Sequence, residues 1–496
     1  MASSCCFPDI WAWIRNLPPT TQWRTKSMTI CLCSSGSTQP SLNFSIINNL
    51  QSPFISFTIS ANFKLPVSLW TSKAFEFNTR TSDVVDEDII SSLFLNFITD
   101  VLNYGLCHNT SFLRIPAIET IGNFKDIFNL AFLTLTMFIC IYEAPHEVRS
   151  GCLNTLKNHL TSPQSREASK LLMRLLGSNI EEQWMRSLNL AITNWLKELH
   201  ESNFHPIVIP SPLFSYAIST VGLWKVQLYC PVIAMKIENS SNASSDERLN
   251  FSLKYHQLEG VIQFAYKTVV REKWVDVMVN TDNIRCDVAR LVSETLVAER
   301  GVGAAEKHFP SRISLQLTPT FQTSVISVSV GKSSENPTRE IGIEKAIEGS
   351  FDPPNQFGVT VSAAESMTMT LKPWKFEQSV IGNTTNLNWF LHDSTDGREV
   401  FSSKPPKLAL AQPRAWFKNR YSNAYRPFTK EGGVIFAGDE YGETVLWKLD
   451  RGAINGKTLE WEIKGRIWLT YWPNKYKTSY NETRRLEFRE ILKLHL

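Results

Sequence analysis

A chain of 496 residues, 43% hydrophobic and 20% charged, is too long for one ordinary core and too apolar for a disordered chain. A net charge of +4 gives no case for nucleic acid as a partner. Nine cysteines without a Cys-x-x-Cys pair exclude a zinc ribbon or a dithiol redox motif, and read as reduced thiols serving as small hydrophobes.

The start lacks a basic stretch followed by an apolar run, so no secretory signal is expected and the seven Asn-x-Ser/Thr sequons are read as chance. The Ser-rich, acid-poor beginning leaves a chloroplast leader as an alternative to a cytoplasmic location, although Trp11, Trp13 and Trp23 suit packed structure better. Adjacent Cys5 and Cys6 are candidates for lipidation. Cys31 and Cys33, two residues apart, are expected on one side of a strand.

Alternation from Ile55 to Leu69 predicts a strand, with Pro66 at an edge or break. Asp83 to Val101 then predicts an amphipathic helix. The uncharged run Asn129–Tyr142 is shorter than a bilayer span, which leaves a buried strand or helix, or a segment that touches a membrane. From Pro145 to His200 the period becomes helical. Its clearest helix starts at Ser178, with Glu181 placed for a capping box. Ile180, Trp184, Leu188, Ile192, Trp195 and Leu199 line one face, as in a helical hairpin packed on a sheet.

After Pro206 alternation returns. Leu223–Met235, Leu249–Leu258, Gly260–Tyr266, Lys273–Val279 and Ser324–Val330 predict strands, and Asp287–Arg300 a helix. Residues 332–356 carry Asn336-Pro337 and Asp352-Pro353-Pro354, which mark a linker. Short strands continue to the end.

Catalytic spacings are absent. No Gly-x-Ser-x-Gly elbow occurs. His200 and His205 are one residue too far apart for a zincin helix, and Gly331-Lys332-Ser333 lacks the first glycine of a phosphate loop. The clusters Asp276/Asp282/Asp287 and Asp439/Glu440/Glu443 read as strand-connecting turns. No catalytic residue, cofactor or metal is expected.

One segment stands out. Arg414, Lys418, Arg420, Arg426 and Lys430 interleave with Trp416, Phe417, Tyr421, Tyr425 and Phe428 without an acid. Cations beside rings suit phosphate or sugar recognition. A long loop with core aromatics and solvated cations is the plainer reading.

The strings NIEEQWMRS (179–187), LWKVQLYCPVIAM (223–235), GVGAAEKHFPSRISLQLTP (301–319), LKPWKFEQSV (371–380), NWFLHDSTDGREVF (388–401) and QPRAWFKNRYSNAYRPFTKEGGVIFAGDEYGE (412–443) are specific. By them the chain resembles an uncharacterised land-plant protein family of about 500 residues. The resemblance implies no activity, cofactor or site residue. The stretch from about Gly105 to Cys140 departs from the family pattern, which adds translated intron as a third reading of the uncharged run.

The expected fold class is α+β and strand-dominated. A mixed β/α unit over 20–331, helical over about 145–200, precedes the linker 332–356 and a Trp-rich, antiparallel β-sandwich-like unit over 357–496. The expected function is a non-enzymatic binding or scaffold protein, meeting a protein partner, anionic lipid or glycan through Arg414–Lys430. A lectin-like or lipid-recognising sandwich is one alternative, and an enzyme with a dispersed site is another.

Overall fold

The structure is a computed structural model that describes all residues except 1–6, 20–21, 24, 35–39, 50–53, 77–84, 106–121, 202–213, 241–246, 300–307, 332–338, 346–364, 372–373, 392–432, 438–443, 455–457, 472–481 and 496. The fold is α+β and strand-rich, with antiparallel sheets, as the alternation indicates. It divides into two compact units, Met1–Ile209 with Arg290–Glu299, and Pro210–Ala289 with Arg300–Leu496.

The first unit opens on α1 (Ile10–Arg15), continues through β1 (Ser27–Ser34), β2 (Ser41–Asn49), β3 (Phe54–Asn62), β4 (Pro66–Thr71) and β5 (Phe75–Glu76), and turns helical. The helices are α2 (Glu87–Asn103), α3 (Phe124–Tyr142), α4 (His146–Leu160), α5 (Pro163–Leu176) and α6 (Ser178–Glu201). Pairing runs β1-β2-β3-β4, with β5 also on β3. The expected strand through Leu69 is two strands, because residues 63–65 bend and Pro66 starts β4.

The uncharged run is a helix. By length and composition α3 is the one described helix apolar enough to cross a membrane, yet 83% of its most apolar window is buried against the rest of the unit. Phe97 and Phe44 approach Phe132 at ring distances of 5.2 and 4.6 Å, which ties α2 and β2 to α3. Thr134 and Thr136 donate to the carbonyls of Leu130 and Phe132, so their hydroxyls are satisfied inside the helix. Asn129 accepts from the Trp11 backbone and donates to Asp9, while Lys125 pairs with Asp9 at 2.6 Å. Of the stretch 105–140, the part from Phe124 to Cys140 therefore builds the core of this unit; residues 106–121 lie outside the described ones.

The stripe on α6 is buried at Trp184, Leu188, Ile192 and Trp195 and half-buried at Ile180. It belongs to an assembly of five helices around α3 rather than to a lone hairpin.

The second unit contains β6 (Phe214–Thr220), β7 (Leu223–Pro231), β8 (Lys236–Ser240), α7 (Glu247–Tyr255), β9 (His256–Val270), β10 (Trp274–Arg290), β11 (Phe309–Pro319) and β12 (Val325–Val330). It continues with β13 (Arg339–Lys345), β14 (Glu365–Leu371), β15 (Trp374–Ile381), β16 (Thr384–Leu391), β17 (Gly433–Ala437), β18 (Thr444–Asp450), β19 (Leu459–Tyr471) and β20 (Glu482–Leu494). One sheet has the order β12-β18-β10-β9-β7-β6 with β17 on β10, the other β15-β16-β11-β19-β20-β8, and β13 pairs with β14. The two large sheets share one apolar core, in which Trp461 of β19 meets Trp224 of β7 at 5.2 Å and Trp447 of β18 at 5.9 Å.

Three expectations change. Leu249–Tyr255 is helical, part of α7, and the strand begins only at His256. Asp287–Arg300 is divided: β10 runs to Arg290, and the helix is confined to Glu294–Glu299. The linker does not separate two units, because strands on either side of it pair: β10 and β12 with β18, β11 with β16 and β19, β8 with β20. Its proline signals lie outside the described residues, and Arg339–Lys345 within it is β13, which pairs with β14.

Candidate functional site

Arg414, Trp416, Lys418, Arg420, Tyr421, Tyr425, Arg426 and Lys430 all lie outside the described residues. Two other places in the second unit gather polar side chains that sequence reading did not single out.

The first is sealed. Ser252 on α7, His308 just before β11, and Glu482 and Arg484 at the start of β20 are all buried. Ser252 Oγ lies 3.0 Å from His308 Nδ1. Nε2 of the same ring is 3.5 Å from Glu482 Oε1, close enough for electrostatic pairing but too long for a good hydrogen bond. Arg484 pairs with Glu482 and donates to the carbonyls of Ile233 and Met235, each at 3.2 Å. Burial holds His308 below its ordinary range, opposed by the neighbouring Glu482. Burial pushes the Glu482 carboxyl up, but His308 and Arg484 outweigh it and hold the group below the usual value.

A Ser–His–Glu relay is the outline of a nucleophile and its base. Here Ser252 and His308 have no exposed surface. A nucleophile so enclosed meets no substrate in this conformation. What the network does is mechanical: it fixes the 3₁₀ turn Val232–Ala234 and α7 to the first residues of β20.

The second place is open. Along β19 the inward residues are Trp461, Ile463, Gly465 and Ile467, so Glu460, Glu462, Lys464, Arg466 and Trp468 face outward. Glu487 and Arg489 of β20 and Ser314 and Gln316 of β11 share that face through the register Arg466↔Glu487, Lys464↔Arg489, Ser314↔Arg466 and Gln316↔Lys464. Together they line a shallow cleft of about 250 Å³. Its side chains include three cations, Lys464, Arg466 and Arg489, against one carboxylate, Glu487.

The charges are shared unevenly. Glu462 answers both Lys464, at 3.0 Å, and Arg489. Burial pushes Glu462 up, yet these two cations hold it below the ordinary carboxylate range. Glu487 pairs with Arg466 at 3.3 Å and Arg485 at 3.2 Å. Beside the cleft, Arg312 stacks between Trp468, at 4.4 Å, and Phe390, at 4.6 Å. On the other side Gln316 donates to Asn386 at 2.9 Å.

Beneath the cleft, Gly465 faces Phe488 across the β19–β20 ladder. A Cβ at Gly465 would come within 2.0 Å of the Phe488 ring. Gly465→Ala is expected to displace that ring and cost roughly 1–3 kcal/mol, as overpacking does. A urea titration checks it; a wild-type midpoint would show that the ring moves aside freely.

The alternation that makes this face was visible in the sequence of β19 and β20. Which strand lies beside which was not, and the cleft depends on β11 entering the same sheet.

No family model and no curated protein matches this chain. Among solved structures it is similar to Clostridium perfringens delta-toxin (8% identity, 56% of this chain and 99% of that one, TM-score 0.23). A pore forming protein gives 8%, 57%, 100% and 0.19, and the Clostridium perfringens NetB toxin in its membrane inserted form 8%, 56%, 98% and 0.18. Likenesses this distant carry no conclusion about this chain.

Among the described residues no group of three His, Cys, Asp or Glu side chains is spaced to hold a metal ion.

Proposed function

We propose that the chain is a non-enzymatic binding protein, and that the outer face of the β11–β19–β20 sheet recognises an acidic sugar. The observation that carries this reading is the cleft itself, with three cations, one carboxylate, an amide and a hydroxyl on rigid strands. An anionic substituent would meet Lys464, Arg466 and Arg489, while ring hydroxyls need acceptors as well as donors, and Glu487, Ser314 and Gln316 supply both. A lipid surface fits less well. Among the described residues of β11, β19 and β20 the exposed large hydrophobic residue is Ile491, at 38%, a small apolar area for insertion. The basic-aromatic segment 414–430 remains a second candidate contact for the same class of ligand.

The test is a glycan array carrying neutral, sialylated and sulfated sugars, run beside vesicles with and without anionic lipid. Wild type is expected to favour the acidic sugars and to lose them as salt rises, since exposed charges are screened within about 10 Å at 0.1 M. Arg466→Ser with Arg489→Ser should abolish that binding and leave the melting temperature nearly unchanged, because each exposed change costs about 0.5 kcal/mol or less. Binding unaffected by the double variant would sink the assignment of this face. Preference for vesicles over every sugar would favour a lipid ligand.

A further inference from the structure

One end of the second unit gathers the β6–β7, β9–β10 and β15–β16 turns with the start of β12. Register and hydrogen bonds place them together. Tyr266 of β9 donates its backbone N–H to the Gly222 carbonyl in the β6–β7 turn, at 2.8 Å. Trp274 of β10 pairs with Asp450 of β18, and Val325 of β12 with Leu449. From the other sheet, Asn383 in the β15–β16 turn donates to the Gln322 carbonyl at 3.0 Å, and its own carbonyl accepts from Trp447 Nε1 at 3.1 Å.

Each of the four places carries an exposed aliphatic side chain: Val221 at 81%, Val270 at 56%, Ile326 at 56% and Ile381 at 71%. The other exposed large hydrophobics described in this unit, Ile237 and Ile491, lie on β8 and β20. The turns do not call for aliphatics. Gly222 and Gly382 take the positive φ, 76° and 59°, so a polar residue beside either glycine would serve the fold as well as Val221 or Ile381. Exposed aliphatics scattered singly are ordinary, whereas four at one end form a surface.

The tip of the β9–β10 hairpin is also basic. Lys267, Arg271 and Lys273 are exposed on it. Alongside stand Lys448, with Nζ 4.1 Å from the Trp274 ring centre, and Arg451, which donates to the Arg271 carbonyl at 3.1 Å. Against these five cations are Glu272, Asp276 and Asp450, of which Asp276 pairs with Arg271 at 3.5 Å. The balance is positive by two.

We propose that this end of the second unit docks on a lipid surface carrying anionic headgroups. The aliphatic tips enter the acyl boundary, and the hairpin cations meet the phosphates. Trp274, half-buried at the base of the hairpin, places an amphipathic ring at headgroup level. The tips rise from separate turns of two sheets, an arrangement that a fluid layer accepts without matched shape. The cleft on β19 and β20 is a different place: Leu459↔Leu494 marks this end, and Gly465↔Phe488 the cleft.

The experiment uses the full chain with phosphatidylcholine vesicles, with or without phosphatidylserine, read by co-sedimentation. Wild type is expected to bind the vesicles that contain phosphatidylserine. Val221→Asp with Val270→Asp should weaken that binding about tenfold or more and leave the melting temperature unchanged, since both side chains are exposed. Arg271→Ser with Lys273→Ser should remove the preference for phosphatidylserine. Arg466→Ser with Arg489→Ser should bind vesicles as wild type does, and the valine double variant should keep any acidic-sugar binding, so this proposal and the assignment of the cleft fail separately. The proposal is overturned if wild type ignores both kinds of vesicle or if the valine double variant binds as wild type does. It is overturned equally if light scattering finds a wild-type dimer that the valine double variant loses, since the tips then hold a second copy. Hydrogen exchange on the unaltered chain gives an independent measure: amides of residues 267–274 should slow when vesicles are added, and unchanged exchange there would sink the idea without any variant.

Discussion

Arg484→Met is expected to cost the second unit on the order of 3–5 kcal/mol, the usual penalty for stripping one partner from a buried ion pair. The substitution takes the guanidinium from the enclosed Glu482 carboxylate and the donors from the carbonyls of Ile233 and Met235. Arg484→Lys should recover only part, because an ammonium cannot serve a carboxylate and two carbonyls in one plane. The double change Arg484→Met with Glu482→Leu should be more stable than Arg484→Met alone, since it leaves no orphan charge. Urea midpoints decide the matter. A single variant with the wild-type midpoint would mean that the network contributes no stability.

The same network predicts acid sensitivity, and the signs agree. Folded His308 titrates below the ordinary 6.5, so below that pH the unfolded chain takes up a proton that the folded one refuses. Stability therefore falls as pH drops from 6.5 towards the folded value. Folded Glu482 titrates below the ordinary 4.5, so its contribution is present above that pH and is lost as pH falls through the lower folded value. His308→Gln should flatten the upper part of the profile and leave the lower part.

Trp184→Ala should have an effect of similar size in the first unit, about 3–5 kcal/mol. Trp184 is 1% exposed on α6, on the stripe that continues through Leu188, Ile192 and Trp195. Cutting it to a methyl opens a cavity that α2, α3 and α5 cannot all close, because each is held on its other faces. Trp184→Phe should cost less. Far-UV circular dichroism through a urea titration reports the loss, and an unchanged midpoint would show that the neighbouring helices repack.

The periodicity of this chain spoke clearly where one face of an element is wet. The helix from Ser178 was legible because its polar side is solvated; β19 carries an equally clear alternation, Glu460, Glu462, Lys464 and Arg466 against inward Trp461, Ile463 and Ile467, but was read only as part of a run of short strands. Helix α3 was ambiguous between helix and strand because it is surrounded, and a surrounded helix shows no polar side. The boundary at 332–356 misled for a related reason: Pro and Asn mark a turn equally well between domains and between strands of one sheet. The sealed network draws on residues 252, 308, 482 and 484. No local pattern relates positions so far apart.

The six-stranded sheet also constrains the order of events during synthesis. Strand β20 sits between β19 and β8, and Arg485 of β20 pairs with Glu238 of β8 across 247 residues of chain. Among the described strands β8 has no other neighbour in that sheet, so it leaves the ribosome long before the strand that gives it a place. Until β20 arrives, the inward faces of β11 and β19 have only part of their cover, and β8 is an unpaired edge. Pairing over such a separation is slow and leaves sticky intermediates. The second unit is thus expected to complete its fold only after its own translation ends, and nascent chains halted before residue 482 should be the ones that chaperones hold.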